Sequence, residues 1–310
     1  MKNKNRAFSL IELSIVVLII GILIAGVTQG SRLVNASKVQ TAQTLSQSAP
    51  VTSVQGLLLW LDSSREDSFI STETSNATQL TKWYNVNPQV ANPNRATTSL
   101  TTFTNASSDI TYKSVGINGL PSVAFANASR ASTFASPSGG RIVTPYQAYT
   151  IFVVARVTSI SALNTFLYNG ALATTGFGVY SDTAGKVMVN GGTGAVFTAR
   201  VGNTAAVANA ARIMTVTIAP NSVLGVATTT PAMNFYVNGV SDLTLNSLTA
   251  NITAQGATDI LYIGGKDASA TSPFVGDMSE VIIFDTVLKA SDRKSVEQYL
   301  GKKYGIAVAS

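Results

Sequence analysis

Glu12 is the residue in this sequence with the greatest need of a task. It is the sole charged side chain in FSLIELSIVVLIIGILIAGV, the stretch from Phe8 to Val27. A carboxylate held in hydrocarbon costs about 2.5 kcal/mol or more, so it should meet a partner there. Elsewhere the chemistry open to the chain is narrow. It has no His and no Cys, which removes imidazole bases, thiolate nucleophiles, disulfides and most zinc sites. Hydrolysis of a glycosidic bond uses two flanking carboxylates, and on a strand residues i and i+2 share a face. The nearest acidic pairs, Asp277 with Glu280 and Glu280 with Asp285, have odd spacing and are expected on opposite faces. Asp277 and Glu280 therefore read as ties from their strand to neighbouring backbone and to the last helix, and no catalytic residue is expected.

The densest acidic group is Asp62, Glu66, Asp67 and Glu73. Calcium favours such oxygen ligands, with Asp62 and Asp67 as the candidates, but no D-x-D-x-D-G loop is present. The preferred reading is a solvated turn in which Asp62 caps Ser63–Arg65. No cofactor is expected, calcium being the one ion to consider. Of the two tryptophans, Trp60 lies in the apolar run LLLWL and reads as core. Trp83-Tyr84 is the candidate ligand contact. The Asn-x-Ser/Thr triplets, such as Asn76-Ala77-Thr78, are assigned no role.

The element that must carry Glu12 is a helix. Twenty residues at about 1.5 Å each span roughly 30 Å, the thickness of a hydrocarbon core. Lys2, Lys4 and Arg6 precede it, and positive charge on that flank keeps the N-terminus in the cytoplasm and sends the rest across. A signal peptide would have a shorter apolar region closed by small residues. A plain anchor explains everything but Glu12.

Arg6-Ala7-Phe8-Ser9-Leu10-Ile11-Glu12 resembles the prepilin processing motif of type IV pilins and type II secretion pseudopilins. The resemblance implies a leader over residues 1–7 and cleavage between Ala7 and Phe8 by a prepilin peptidase. It also implies N-methylation of Phe8 and a role for Glu12 in assembly. Pairing Glu12 with the new amine of a neighbouring subunit joins two buried charges in one contact. Ala7 stands where Gly is commoner in the family. Gln29 stands where many major pilins have a helix-breaking proline, and Gly21, Gly26 and Gly30 are the alternative sources of flexibility.

Beyond the span, Leu33, Val34, Val39, Ala42 and Leu45 keep helical spacing. A helix is expected over 8–48, its transmembrane part 8–27, with a linker over 49–55 broken by Pro50. From Gly56 the pattern changes to short β-branched and aromatic runs between Gly, Asn, Ser and Pro. Asn238-Gly239 marks a hairpin. Ten to twelve strands suggest an all-β antiparallel two-sheet sandwich over 56–306. A short C-terminal helix is expected, capped by Ser291 and ended by Gly301 or Gly305. The runs GLLLWLD, GINGLP before Val123-Ala124-Phe125, YTIFVV, FYVNG, GDMSEVII and the tail from Leu288 to Tyr304 resemble laminin-G-like, concanavalin-A-like jelly rolls.

Composition fits a secreted β-rich surface: 45% hydrophobic but only 12% charged, about half the usual share. Net charge is +6, of which Lys2, Lys4 and Arg6 supply three, leaving +3 with no basic run. No nucleic-acid partner is expected. The combined reading is a pilin-like structural subunit displaying a lectin-like head for adhesion or surface interaction. The rivals are a secretion pseudopilin, a minor tip adhesin that binds glycan, and, last, a glycan hydrolase. Expected partners are other pilin subunits, the prepilin peptidase, the inner membrane and an extracellular glycan. The precursor is placed in the bacterial inner membrane and the product in a pilus or pseudopilus.

Overall fold

The computed structural model describes residues 10–89, 102–105, 108–126, 133–136, 148–170, 176–191, 199–219, 233–245, 260–266 and 272–309. It opens with one long helix, α1 (Leu10–Gln47), about 57 Å from end to end. Gly21, Gly26 and Gly30 do not interrupt it. After a short turn at Pro50–Thr52 the chain enters two antiparallel sheets, each of eight strands among the described residues.

The first sheet is built from β1 (Leu57–Asp62), β4 (Ile110–Lys113), β5 (Ser122–Phe125), β7 (Tyr149–Val157), β12 (Ala211–Ile218), β13 (Met233–Val237), β14 (Val240–Leu245) and β16 (Gly276–Phe284). Its order is β14-β13-β12-β7-β16-β5-β4, with β1 also paired to β16. The second sheet holds β2 (Lys82–Tyr84), β3 (Thr102–Thr104), β6 (Phe134–Ala135), β8 (Asn164–Gly170), β9 (Phe177–Ser181), β10 (Val187–Gly191), β11 (Arg200–Val201) and β15 (Ile260–Ile263). Its order is β11-β10-β9-β8-β15-β6-β3-β2.

Strand β7 reads as an almost continuous apolar run rather than an alternating one, and every residue of β16 is buried, Asp277, Ser279 and Glu280 included. The reason is that both faces of the first sheet are covered. Ile151, Val153 and Ala155 of β7 point into the core between the sheets, while Phe152 and Val154 point the other way. That outer face is sealed by the end of α1 and by α2 (Ala290–Tyr304), which contribute Ala42, Val296, Tyr299, Leu300 and Tyr304.

The Asn238-Gly239 hairpin joins β13 to β14, with φ of 50° and 78° at the two turn residues. Both values are positive, as a type I′ turn requires. Two local expectations are corrected. Ser291 does not cap α2: the helix begins at Ala290 behind Lys289, which makes no side-chain cap bond, and Ser291 lies inside the first turn. The helix passes through Gly301 and ends at Gly305, whose φ of 63° supplies the left-handed stop.

The second correction concerns β16. A bulge between Met278 and Glu280 shifts the register against β7. An extra residue reverses the alternation, so Asp277 and Glu280 emerge on the same outer face, not on opposite ones. Each is nonetheless held by its own cations: Asp277 by Arg156 and Lys113, Glu280 by Lys303.

Candidate functional site

The two halves of α1 are built for different surroundings. Every residue from Leu10 to Val34 is exposed, including Leu33 at 72% and Val34 at 56%. Val39, Ala42, Ser46 and Ala49, which step by three and four residues, turn to the sandwich instead. The apolar half is long and apolar enough to cross a membrane. A bare surface of that size needs lipid or protein against it. Glu12 lies on this exposed portion. Ala7 and Phe8 lie outside the described residues.

Where α1 meets the sandwich, a polar cluster is closed off from water. Asp62 at the end of β1, Glu280 on β16 and Lys303 on α2 all have side chains of 0% exposure. Lys303 Nζ donates to Asp62 Oδ2 at 2.7 Å and to Glu280 Oε2 at 2.8 Å. Ser46 of α1 donates to the same Asp62 oxygen at 2.7 Å. The other oxygen, Oδ1, accepts from the Ser64 amide at 2.9 Å and the Ser64 hydroxyl at 2.7 Å. Glu280 accepts from Trp60 Nε1 at 2.7 Å, Tyr299 OH at 3.0 Å and Tyr304 OH at 2.9 Å.

The electrostatics follow from burial and pairing. Burial raises the Asp62 carboxyl, but the Lys303 charge and the hydrogen bonds from Lys303, Ser46 and Ser64 outweigh it and leave the group below its ordinary value. Glu280 ends above its ordinary value, because burial and the Asp62 charge together exceed the help from Lys303. Tyr299 and Tyr304 are pushed well up by burial first and by the Glu280 and Asp62 charges next. Removing one member of such a cluster strands a buried charge, at a cost of about 3–5 kcal/mol.

The acidic group near Asp62 is thereby dispersed rather than assembled. Asp62 is buried and turned to Lys303, not solvated, although it does cap the turn through Ser64. Asp67 is exposed and gripped by Arg65 at 2.8 and 2.6 Å, while Glu73 accepts from Thr81. Among the described residues no group of three or more acidic side chains could hold a metal ion.

Trp83 is corrected as a ligand contact. It is fully buried between the sheets, 5.9 Å from the Phe69 ring and 5.7 Å from Phe134. Its strand β2 presents it inward, which leaves the half-buried Tyr84 on the opposite face. Trp60 is core, as its apolar neighbours indicate.

Lys303, Ser46 and Tyr304 were not singled out by type or spacing. The available signal was position: Lys303 falls on the stripe of Val296, Tyr299, Leu300 and Tyr304, where a charge must be paired. A second buried cation, Arg212, lies at the start of β12. Its Nη2 reaches Ser181 at 3.4 Å, and its Nε and Nη1 have no partner among the described residues. Burial lowers it to about 10, against the opposing pull of Asp242 and Asp182.

Comparison with known proteins resolves both halves. Residues 129–292, more than half of the chain, match the family described as concanavalin A-like lectin/glucanases superfamily. The chain belongs to that superfamily. Its N-terminus, residues 2–28, matches the prokaryotic N-terminal methylation motif, so the superfamily domain is here fused to a prepilin-type helix. No curated protein matches the chain. Among solved structures, a Trypanosoma rangeli sialidase in complex with 2,3-difluorosialic acid aligns with TM-score 0.50 at 13% identity, covering 86% of this chain and 38% of that one. Domain 4 of AbnA, a GH43 extracellular arabinanase from Geobacillus stearothermophilus, aligns with TM-score 0.47 at 15% identity, covering 79% of this chain and 98% of that one. The chain thus spans little more than a third of the sialidase's length, and the likeness is one of fold.

Proposed function

We propose that this protein is a non-enzymatic, pilin-like structural subunit. Its α1 helix is inserted in the inner membrane as a precursor and then packs in a type IV filament, with the sandwich displayed outside. The observation that carries the reading is the division of α1. Its motif-bearing apolar half stands bare, while its last turns are fixed to the head through Ser46. A rod so anchored projects a continuous apolar surface away from the sandwich, available first to lipid and then to neighbouring rods. Cleavage between Ala7 and Phe8 creates an ammonium four residues from Glu12, and Glu12 of one subunit neutralises the amine of the next. Glu12→Ala is expected to insert in the membrane normally but to enter sheared filaments at a small fraction of the wild-type amount. Equal incorporation would remove Glu12 from assembly.

Membership of a lectin-containing superfamily favours a glycan-binding role for the displayed head. Trp83 is unavailable for it, so Tyr84 is the aromatic contact we assign. Glycan-array binding should be present and should fall at least tenfold in Tyr84→Ala. A folded head that binds no glycan would leave display as its whole task.

A further inference from the structure

We propose that Lys303 and Asp62 are joined by a self-formed amide bond, Nζ to Cγ, with Glu280 as the catalytic proton carrier. The inference stands apart from the filament reading, since it depends only on the cluster beneath the head.

Three features distinguish this cluster from an ordinary ion pair. The nucleophile is in place: Nζ lies 2.7 Å from Asp62 Oδ2, one bond from the carbon it would attack. A proton acceptor touches that same nitrogen, Glu280 Oε2 at 2.8 Å, and its carboxyl is held above the ordinary range, so it both takes and returns a proton. Two donors are aimed at the oxygen that does not leave. The Ser64 amide and hydroxyl hold Oδ1 at 2.9 and 2.7 Å, where the negative charge of a tetrahedral intermediate would develop. Ser46 donates to the departing Oδ2.

The step balances without a co-reactant. Glu280 removes one proton from the Lys303 ammonium, and the freed amine pair attacks Asp62 Cγ. Oδ1 carries the charge while Glu280 passes the first proton to Oδ2. A second proton leaves the nitrogen by the same route, the Cγ–Oδ2 bond breaks, and one water departs. Glu280 ends as it began. Condensation of an ammonium with a carboxylate is disfavoured in water, where both ions are hydrated. Here both are already stripped of water, and fixed neighbours act at effective concentrations of about 10⁵ M and above. The product also replaces two buried charges with a neutral amide, which removes the desolvation cost of the pair.

The bond would join β1 to α2 across 241 residues of sequence. Tension arriving along α1 would then pass from β1 directly into the final helix rather than through the sheets.

The test is peptide mapping of the purified full-length protein under denaturing conditions. Trypsin should yield a branched peptide in which residues 39–65 are attached to residues 303–310, lighter than the sum of the two by one water. The branched species should dominate in wild type and be absent in Lys303→Arg, which keeps the charge. In Glu280→Gln it should fall at least tenfold. Only linear peptides in wild type would overturn the proposal. A water lost within residues 39–65 alone would also overturn it, as that is cyclisation of Asp62 onto its own backbone. Full branching in Glu280→Gln would remove Glu280 from the chemistry. The readout is independent of N-terminal processing, so failure of the filament reading leaves it intact.

Discussion

Tyr299 and Tyr304 bear the cost of the cluster they line. Their hydroxyls donate to Glu280, so loss of either proton would set a phenolate against a carboxylate in a dry site. Both are consequently held well above the ordinary value, by burial first and then by the Glu280 and Asp62 charges. In the unfolded chain they would titrate near 10. The folded state therefore binds these protons more tightly. Their contribution to stability is complete below about pH 10 and is lost as pH rises beyond it. An alkaline titration followed by phenolate absorbance should show at least two of the ten tyrosines ionising only together with loss of the β-sheet circular dichroism. Ten tyrosines titrating smoothly while the sheet persists would contradict this. At the same scale, Trp83 shows how side-chain type alone misleads. An aromatic next to Tyr84 reads as a stacking platform, yet one position on β2 decides which of the two faces the core.

The elements were mostly visible in the sequence, because their signals are periodic and local. The exposed apolar run and its polar continuation give α1, and Asn238-Gly239 gives a hairpin. What escaped is what depends on partners far along the chain. The bulge after Met278 lies where β16 passes from its pairing with β5 to its pairing with β1, and nothing in GDMSEVIIF announces it. That one extra residue moved Asp277 to the face of Glu280. The start of α2 lies two positions before the one that Ser291 as cap implies: Leu288 and Val296 pack into the cluster on the outer face of the first sheet, whereas Ser291 is merely a good capping residue nearby. The cluster itself draws on residues 46, 62, 280 and 303. Its members were legible as an acidic turn and a basic helix end, but their meeting was not. The prepilin-type motif around Ala7, Phe8 and Glu12 was legible because it is a short contiguous run, which can be read without any contact made by the fold.

Across the whole molecule, a long apolar rod is joined by buried contacts to a domain of the concanavalin A-like superfamily. The joint is made of both hydrophobic and polar parts. Val39, Ala42 and Leu45 pack on the outer face of the first sheet, and Ser46 enters the buried network beneath them. A flexible tether would let the head swing. This joint fixes its direction relative to the rod, which suits a subunit repeated in a regular array. The proposed function requires that this rod be processed and assembled as pilins are. Mass spectrometry of filaments sheared from cells tests it most directly. The result expected is a mature chain beginning at N-methylated Phe8, present among the filament's structural subunits. An unprocessed chain beginning at Met1, confined to the membrane fraction, would contradict it.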